Sequence, residues 1–389
     1  MARSNAALRS SPAFPLPRTP AGDSVEDATE LLGLVVDHER RRGRGAVSNA
    51  TGRYEPLARV AFDDGWSTLE DLPEFKTTVS IDATRKIITR NNSPDIGFDR
   101  SINPYRGCEH GCVYCFARPT HAYLGLSPGL DFESKLLVKP EAAELLEKEL
   151  AAQDYEPRMI AIGTNTDPYQ PIERERKIMR GILEVLERAS HPVGIVTKSA
   201  LVTRDIDILA RMAARNLAKV ALSVTTLDAE LARKMEPRAA TPMRRLETLR
   251  RLSAAGVPTT VMVAPVIPAL NDSEIERILE AAHSAGVREA GYVLLRLPLE
   301  VRDLFREWLR ENYPDREKHV FKLVRDMRGG KDYDSKWFER QRGRGPYAYL
   351  IGRRFELACE KLGLNASRTQ LTTEHFRRPK ADAGQLCLF

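Results

Sequence analysis

A chain of 389 residues with 42% hydrophobic content is long enough to bury a sizeable core and suits one large catalytic domain with appendages. No apolar run approaches the roughly 18 to 20 residues a membrane helix needs, which excludes membrane spanning. A formal net charge of +6 favours polyanionic partners only mildly, so nucleic acid is allowed rather than indicated. Five cysteines and an opening without an apolar h-region suggest no disulfide framework, and the expected compartment is a reducing cytoplasm.

Residues 1–60 carry little periodic pattern and read as a largely disordered lead, in which only Val25–Val36 could form a short helix. The lead contains Arg40-Arg-Arg-Gly-Arg-Gly45, a basic run that suits phosphate tracking or a solvated linker. Residues 61–98 read as an extension, with Thr77–Ile81 and Lys86–Thr89 as strands of a lid or hairpin. Over 99–300, strand and helix signals alternate. Ser101–Tyr105, Met159–Ile162, Val193–Thr197, Val220–Thr225, Thr259–Val266 and Gly291–Leu295 are the strands; Ile172–Ala189, Asp205–Ala214, Met243–Ala255 and Ser273–Ala285 are the helices. This is the pattern of parallel βα units, closed into a barrel or open as a doubly wound sheet. Residues 301–365 form a C-terminal helical extension. There Arg342-Gly-Arg-Gly-Pro-Tyr-Ala-Tyr349 suits a nucleic-acid backbone with stacked bases, or a helix cap packed on the core. Residues 366–389 are a flexible tail whose apolar tip, Gln385, Leu386, Leu388 and Phe389, reads as a docking peptide or a strand folded back on the domain.

The chemistry concentrates in Arg106-Gly-Cys108-Glu-His-Gly-Cys112-Val-Tyr-Cys115. A C-x3-C-x2-C loop supplies three thiolates, and an iron–sulfur cluster held this way keeps one iron open to a small molecule. Zinc with His110 or His121 as fourth ligand is the other reading. At the ends of later strands, Thr164, Asn165, Thr166 and Asp167 can accept from an ammonium or ribose hydroxyls, or simply cap a helix. Lys198 can pair with a carboxylate and Ser223 can complete the cradle. Asn271 and Asp272 read as caps of the helix at Ser273. No P-loop, H-E-x-x-H or G-x-S-x-G motif is present.

The cysteine spacing, with Tyr114 before the last cysteine, resembles the signature of radical S-adenosylmethionine (SAM) enzymes. The stretches Asn92–Cys112, Ala117–His121 and Leu126–Asp131 resemble a bacterial branch related to spore photoproduct lyase, over roughly residues 45–365. The resemblance implies an α/β fold, an incomplete (β/α)6 barrel. It implies a [4Fe–4S] cluster on Cys108, Cys112 and Cys115, reduced by flavodoxin or ferredoxin, and reductive cleavage of SAM to a 5′-deoxyadenosyl radical. By position, Thr164, Asn165 and Asp167 would meet the SAM amino group, Lys198 its carboxylate and Ser223 its ribose. Tyr114, Phe116 and Tyr169 would pack on adenine or, for Tyr114 and Tyr169, supply hydrogen atoms. Arg106, Glu109, His110, Arg118 and His121 surround the thiolates in sequence and read as side chains that tune the cluster, or as loop salt bridges and caps. The lyase uses a further cysteine near its second strand, and Ala161–Asp167 contains none, so its own reaction is not implied. A DNA- or RNA-linked substrate remains open. The tail resembles Q-L-x-L-F peptides that bind the bacterial sliding clamp. A cluster-bearing nucleic-acid adaptor without SAM turnover is the second reading.

Overall fold

The computed structural model describes residues 44–49, 52–55 and 76–380, all within one compact unit. The helix expected at Val25–Val36, the start of the basic run and the terminal Gln385, Leu386, Leu388 and Phe389 lie outside the described residues.

Among the described residues ten strands form two sheets: β1 (Thr78–Ile81), β2 (Ile88–Arg90), β3 (Arg100–Ile102), β4 (Tyr105–Arg106), β5 (Lys135–Val138), β6 (Ile160–Ile162), β7 (Val193–Thr197), β8 (Ala218–Ser223), β9 (Thr259–Val266) and β10 (Glu289–Leu294). The larger sheet runs β10-β9-β8-β7-β6-β3-β2. From β3 to β10 every neighbour is parallel and lies beside its predecessor in the chain. A doubly wound sheet must reverse its strand order at a switch point, and here no reversal occurs. The fold is therefore an incomplete (β/α)6 barrel. Across its open side Gln341 accepts from Leu294 N at 2.9 Å, while neighbouring Arg340 pairs with Asp95, in the β2–β3 connection, at 2.5 Å.

Three local expectations are corrected. The lid strands make no hairpin: β2 pairs antiparallel with β3, whereas β1 joins β5 and β4 in a separate three-stranded sheet. The first strand is broken between Ile102 and Tyr105, because Pro104 has no N–H to continue the ladder and the chain passes to the second sheet. The helix expected at Ile172–Ala189 is two, Glu173–Arg176 and Ile178–Arg188. Lys177 turns the chain at φ 53°, and the buried Glu173 carboxylate accepts from Ile178 N and Met179 N, both at 3.1 Å, capping the second piece.

The Ile178–Arg188 helix buries Ile178, Met179, Ile182, Leu183, Val185 and Leu186, the i, i+3, i+4 stripe that seats it on the barrel. Helices Val301–Asn312 and Pro314–Asp326 follow the barrel. Their Phe305, Trp308 and Phe321 share one apolar cluster with Val47, Cys112 and Val113, so the extension packs against the cysteine loop. Cys359, from the helix Pro346–Leu362, is buried in the main core as expected for a small apolar side chain.

Candidate functional site

β4 delivers the chain into Gly107 at φ 78°, where a Cβ would stand 2.7 Å from Leu136 Cδ2 and 2.9 Å from Phe132 O; only glycine makes this turn. Cys108 N then donates to Phe132 O at 2.9 Å. Cys108 and Cys112 are buried, Cys115 is partly buried, and all three are free thiols. Burial pushes every one of them up, Cys112 to about 12 with Glu236 adding to the effect and Lys198 opposing it. For Cys108, desolvation is reinforced by Asp167 and the two other cysteines; for Cys115 it is opposed by Arg118. Burial therefore disfavours bare thiolates at all three positions. Opposing this rise are the backbone N–H of Asp167 near Cys108 and those of Ala117 and Arg118 near Cys115, which favour the thiolate forms.

The two histidines that a zinc site would call on have neighbours of their own. Among the described residues no group of three or more His, Cys, Asp or Glu side chains is arranged to hold one metal ion. His121 Nε2 donates to Lys135 O at 2.9 Å, and His110 Nδ1 lies 3.4 Å from Asp167. A cluster takes one thiolate per iron, so its ligand sulfurs need not converge on a single ion.

Arg118 holds this loop in shape. Fully buried, it donates to Cys112 O at 2.9 Å, to Gly111 O at 3.2 Å and to Pro128 O and Gly129 O at 3.0 Å, and pairs with Glu133 at 2.5 Å. Glu133 also accepts from Arg44 N at 2.6 Å, Gly45 N at 3.1 Å and Ala46 N at 2.8 Å. The end of the basic run is thus a strap across the cysteine loop, and for Arg44 and Gly45 the linker and phosphate-tracking readings are both corrected. Gly45 crosses Gly111 so closely that a Cβ would lie 1.8 Å from Gly111 O. Arg44 itself sits 3.5 Å from Glu109, which accepts from Thr77 at 2.6 Å and Arg238 at 2.8 Å.

At the end of β6, Gly163 (φ 85°) has no room for a side chain: a Cβ would meet Val196 O at 2.0 Å. Thr166 is committed to Tyr105 O at 2.8 Å. Asp167 accepts from Thr197 Oγ1 and Lys198 N at 2.7 Å and from Tyr169 N at 2.9 Å. Burial would raise this carboxyl, but His110 and these donors hold it at about 2. Its oxygens tie the β6 and β7 mouths together, while Thr164 and Asn165 stay half-buried beside it. The Lys198 ammonium stands 5.8 Å over the Tyr114 ring and, among the described residues, makes no hydrogen bond or ion pair of its own. Ser223 is buried at the end of β8, its carbonyl accepting from Arg245 at 3.0 Å. Tyr169 turns its hydroxyl to Asp205 at 3.1 Å. Phe116 is 42% exposed beneath Arg296, whose guanidinium stands 4.7 Å from the ring.

Sequence reasoning missed Glu236, Arg245 and Gln170. Gln170 accepts from Glu109 N at 2.8 Å and donates to Gly107 O at 3.2 Å. No motif marks any of them. Asn271 stands at the N-cap position of the turn Asp272–Glu274, but its side chain does not cap it: it accepts from Ile267 N at 2.6 Å and donates to Thr225 O at 2.8 Å, stapling the β8 and β9 mouths.

The radical SAM superfamily profile matches residues 102–282, from β3 through the helix after β9. An uncharacterised protein of Mycobacterium tuberculosis is 38% identical over 236 residues, covering 60% of this chain and 69% of the relative. The chain belongs to the radical SAM superfamily. It is a radical SAM enzyme. An uncharacterised protein of Methanocaldococcus jannaschii is 27% identical over 215 residues, 55% of this chain and 76% of that one. The fold is shared with spore photoproduct lyase complexed with dinucleoside spore photoproduct, at TM-score 0.52 and 16% identity over 74% of this chain and 80% of that one. No helix among the described residues is long and apolar enough to cross a membrane.

Proposed function

We propose that Cys108, Cys112 and Cys115 hold a [4Fe–4S] cluster with one iron open to SAM, in a reducing cytoplasm. When bound, this pair supplies a 5′-deoxyadenosyl radical that abstracts hydrogen from a substrate. The chain's own residues do the rest. Arg118, Glu133 and the 44–46 strap shape and cover the loop, and the N–H groups aimed at the sulfurs stabilise thiolate charge. Lys198 binds the SAM carboxylate, Ser223 the ribose, and Thr164 and Asn165 the amino group, with Asp167 positioning Lys198 through its backbone. Tyr114 packs against the cofactor. The observation that carries this reading is the Lys198 ammonium, without an ion pair among the described residues, standing 5.8 Å over the Tyr114 ring and close enough to Cys112 and Cys115 to favour their thiolates.

The substrate we favour is nucleic-acid-linked. The rim beside the cysteine loop carries Phe116, Tyr123 and Tyr54, which are 42%, 68% and 56% exposed. Arg296 lies on Phe116, and Arg53 stands 5.4 Å and 5.6 Å from the rings of Tyr54 and Tyr123. Rings interleaved with guanidinium groups suit unstacked bases and phosphates. The dinucleoside ligand of the structurally similar lyase is of this class. An acidic one-electron carrier such as flavodoxin or ferredoxin would reduce the cluster. The terminal Gln385, Leu386, Leu388 and Phe389 would dock on a sliding clamp, which calorimetry of the tail peptide against the clamp tests.

Anaerobic reconstitution followed by quantifying 5′-deoxyadenosine under strong reduction tests the central reading. Wild type should form it and Cys112→Ala should not. A fully iron-loaded protein that makes none would instead be the adaptor.

A further inference from the structure

We infer that Glu236 is a positioning residue that fixes the cysteine loop relative to the cofactor cradle. Its side chain is fully buried, in the bend after the helix Ala229–Met235. It accepts from three separate elements: Tyr114 OH of the cysteine loop, Thr225 Oγ1 just beyond β8 at 2.6 Å, and the Arg245 guanidinium of the helix Pro242–Ala254. Arg245 in turn donates to Ser223 O at 3.0 Å and to Ala240 O at 2.7 Å. One carboxylate thus joins Tyr114, which lies beneath the Lys198 ammonium, to Ser223, the proposed ribose contact.

Stability alone does not account for this arrangement. A buried ion pair contributes little over apolar side chains of the same volume, because desolvation of both charges cancels most of their attraction; where retained, it fixes one geometry among several. Here the fixed geometry is the placement of the cysteine loop against the mouth of β8, the two sides of the proposed SAM site. With the carboxylate gone, the Tyr114 hydroxyl loses its anchor, and Lys198 and Ser223 lose their common reference.

The inference rests on the proposed SAM site, and its test separates the two. Iron content and equilibrium SAM affinity are measured anaerobically for wild type, Lys198→Ala, Glu236→Gln, Tyr114→Phe and Glu236→Gln with Tyr114→Phe. Unchanged affinity in Lys198→Ala overturns the lysine assignment and says nothing against Glu236. Glu236→Gln should keep wild-type iron and lose about tenfold in SAM affinity; Tyr114→Phe should lose several-fold, and the double variant no more than Glu236→Gln, because both break one link. Glu236→Asp should recover part of the affinity. Wild-type affinity in Glu236→Gln, or strictly additive losses, overturns the inference. If Glu236→Gln fails to fold, Tyr114→Phe and Thr225→Val remove single bonds without uncovering a charge, and wild-type affinity in both overturns it equally.

Discussion

Gly45→Ala tests whether the strap is part of the cluster's housing. The new methyl would stand 1.8 Å from Gly111 O and 3.3 Å from Val113 N, so strap or loop must move by roughly 1.5 Å to reach ordinary contact. A shift of that size breaks the bonds that Gly45 N and Ala46 N make with Glu133 at 3.1 Å and 2.8 Å. Each bond to a charged acceptor contributes about 1.5 to 3 kcal/mol, so a loss of about 3 to 6 kcal/mol is expected. Urea unfolding of the reconstituted protein reads the loss, and the rate at which the brown absorbance bleaches in air reads the exposure of the cluster. Gly97→Ala is the control, since its Cβ would meet nothing within 4 Å. Wild-type stability and bleaching in Gly45→Ala, matching the control, would refute the idea that the strap encloses the loop.

Lys198→Ala should weaken SAM binding by about 1.5 to 3 kcal/mol and leave iron content intact; unchanged affinity would make the lysine a bystander. Cys115→Ala should lose the chromophore although its thiol is the least buried of the three, and a full complement of iron would remove it from the ligand set. His191 gives a pH signature remote from the cluster. Its Nδ1 donates to Pro192 O at 3.0 Å and its Nε2 accepts from Tyr155 OH at 2.8 Å, and burial lowers it to about 4. Between that value and the unfolded 6.5 the unfolded chain holds the extra proton, so stability rises with pH through this window and falls by about 3 kcal/mol as pH drops from 7 to 4. His191→Phe should flatten that slope, and an unchanged slope would assign it elsewhere.

The barrel strands were legible because β-branched runs bounded by turn residues leave little choice: Val193–Thr197 and Thr259–Val266 have the bounds expected. Pro104 could have been read as the break in the first strand, and the pairing of β1 with β5 could not, since nothing local to Thr78–Ile81 specifies a partner beyond the cysteine loop. The three-thiol loop announces itself through spacing. Its supports do not: Tyr114 meets Glu236 across 122 residues and Arg44 meets Glu133 across 89, and neither carboxylate sits in a motif. Buried charges of this kind become visible only when the fold brings the distant partner that makes burial tolerable.

Low-temperature electron paramagnetic resonance of the reduced, reconstituted protein, recorded with and without SAM, tests the central claim most directly. An open iron on a cluster held by Cys108, Cys112 and Cys115 predicts a [4Fe–4S]+ signal whose g values shift when SAM is added, and no such signal in Cys112→Ala. A signal indifferent to saturating SAM at full iron occupancy, or one that survives in Cys112→Ala, would contradict it.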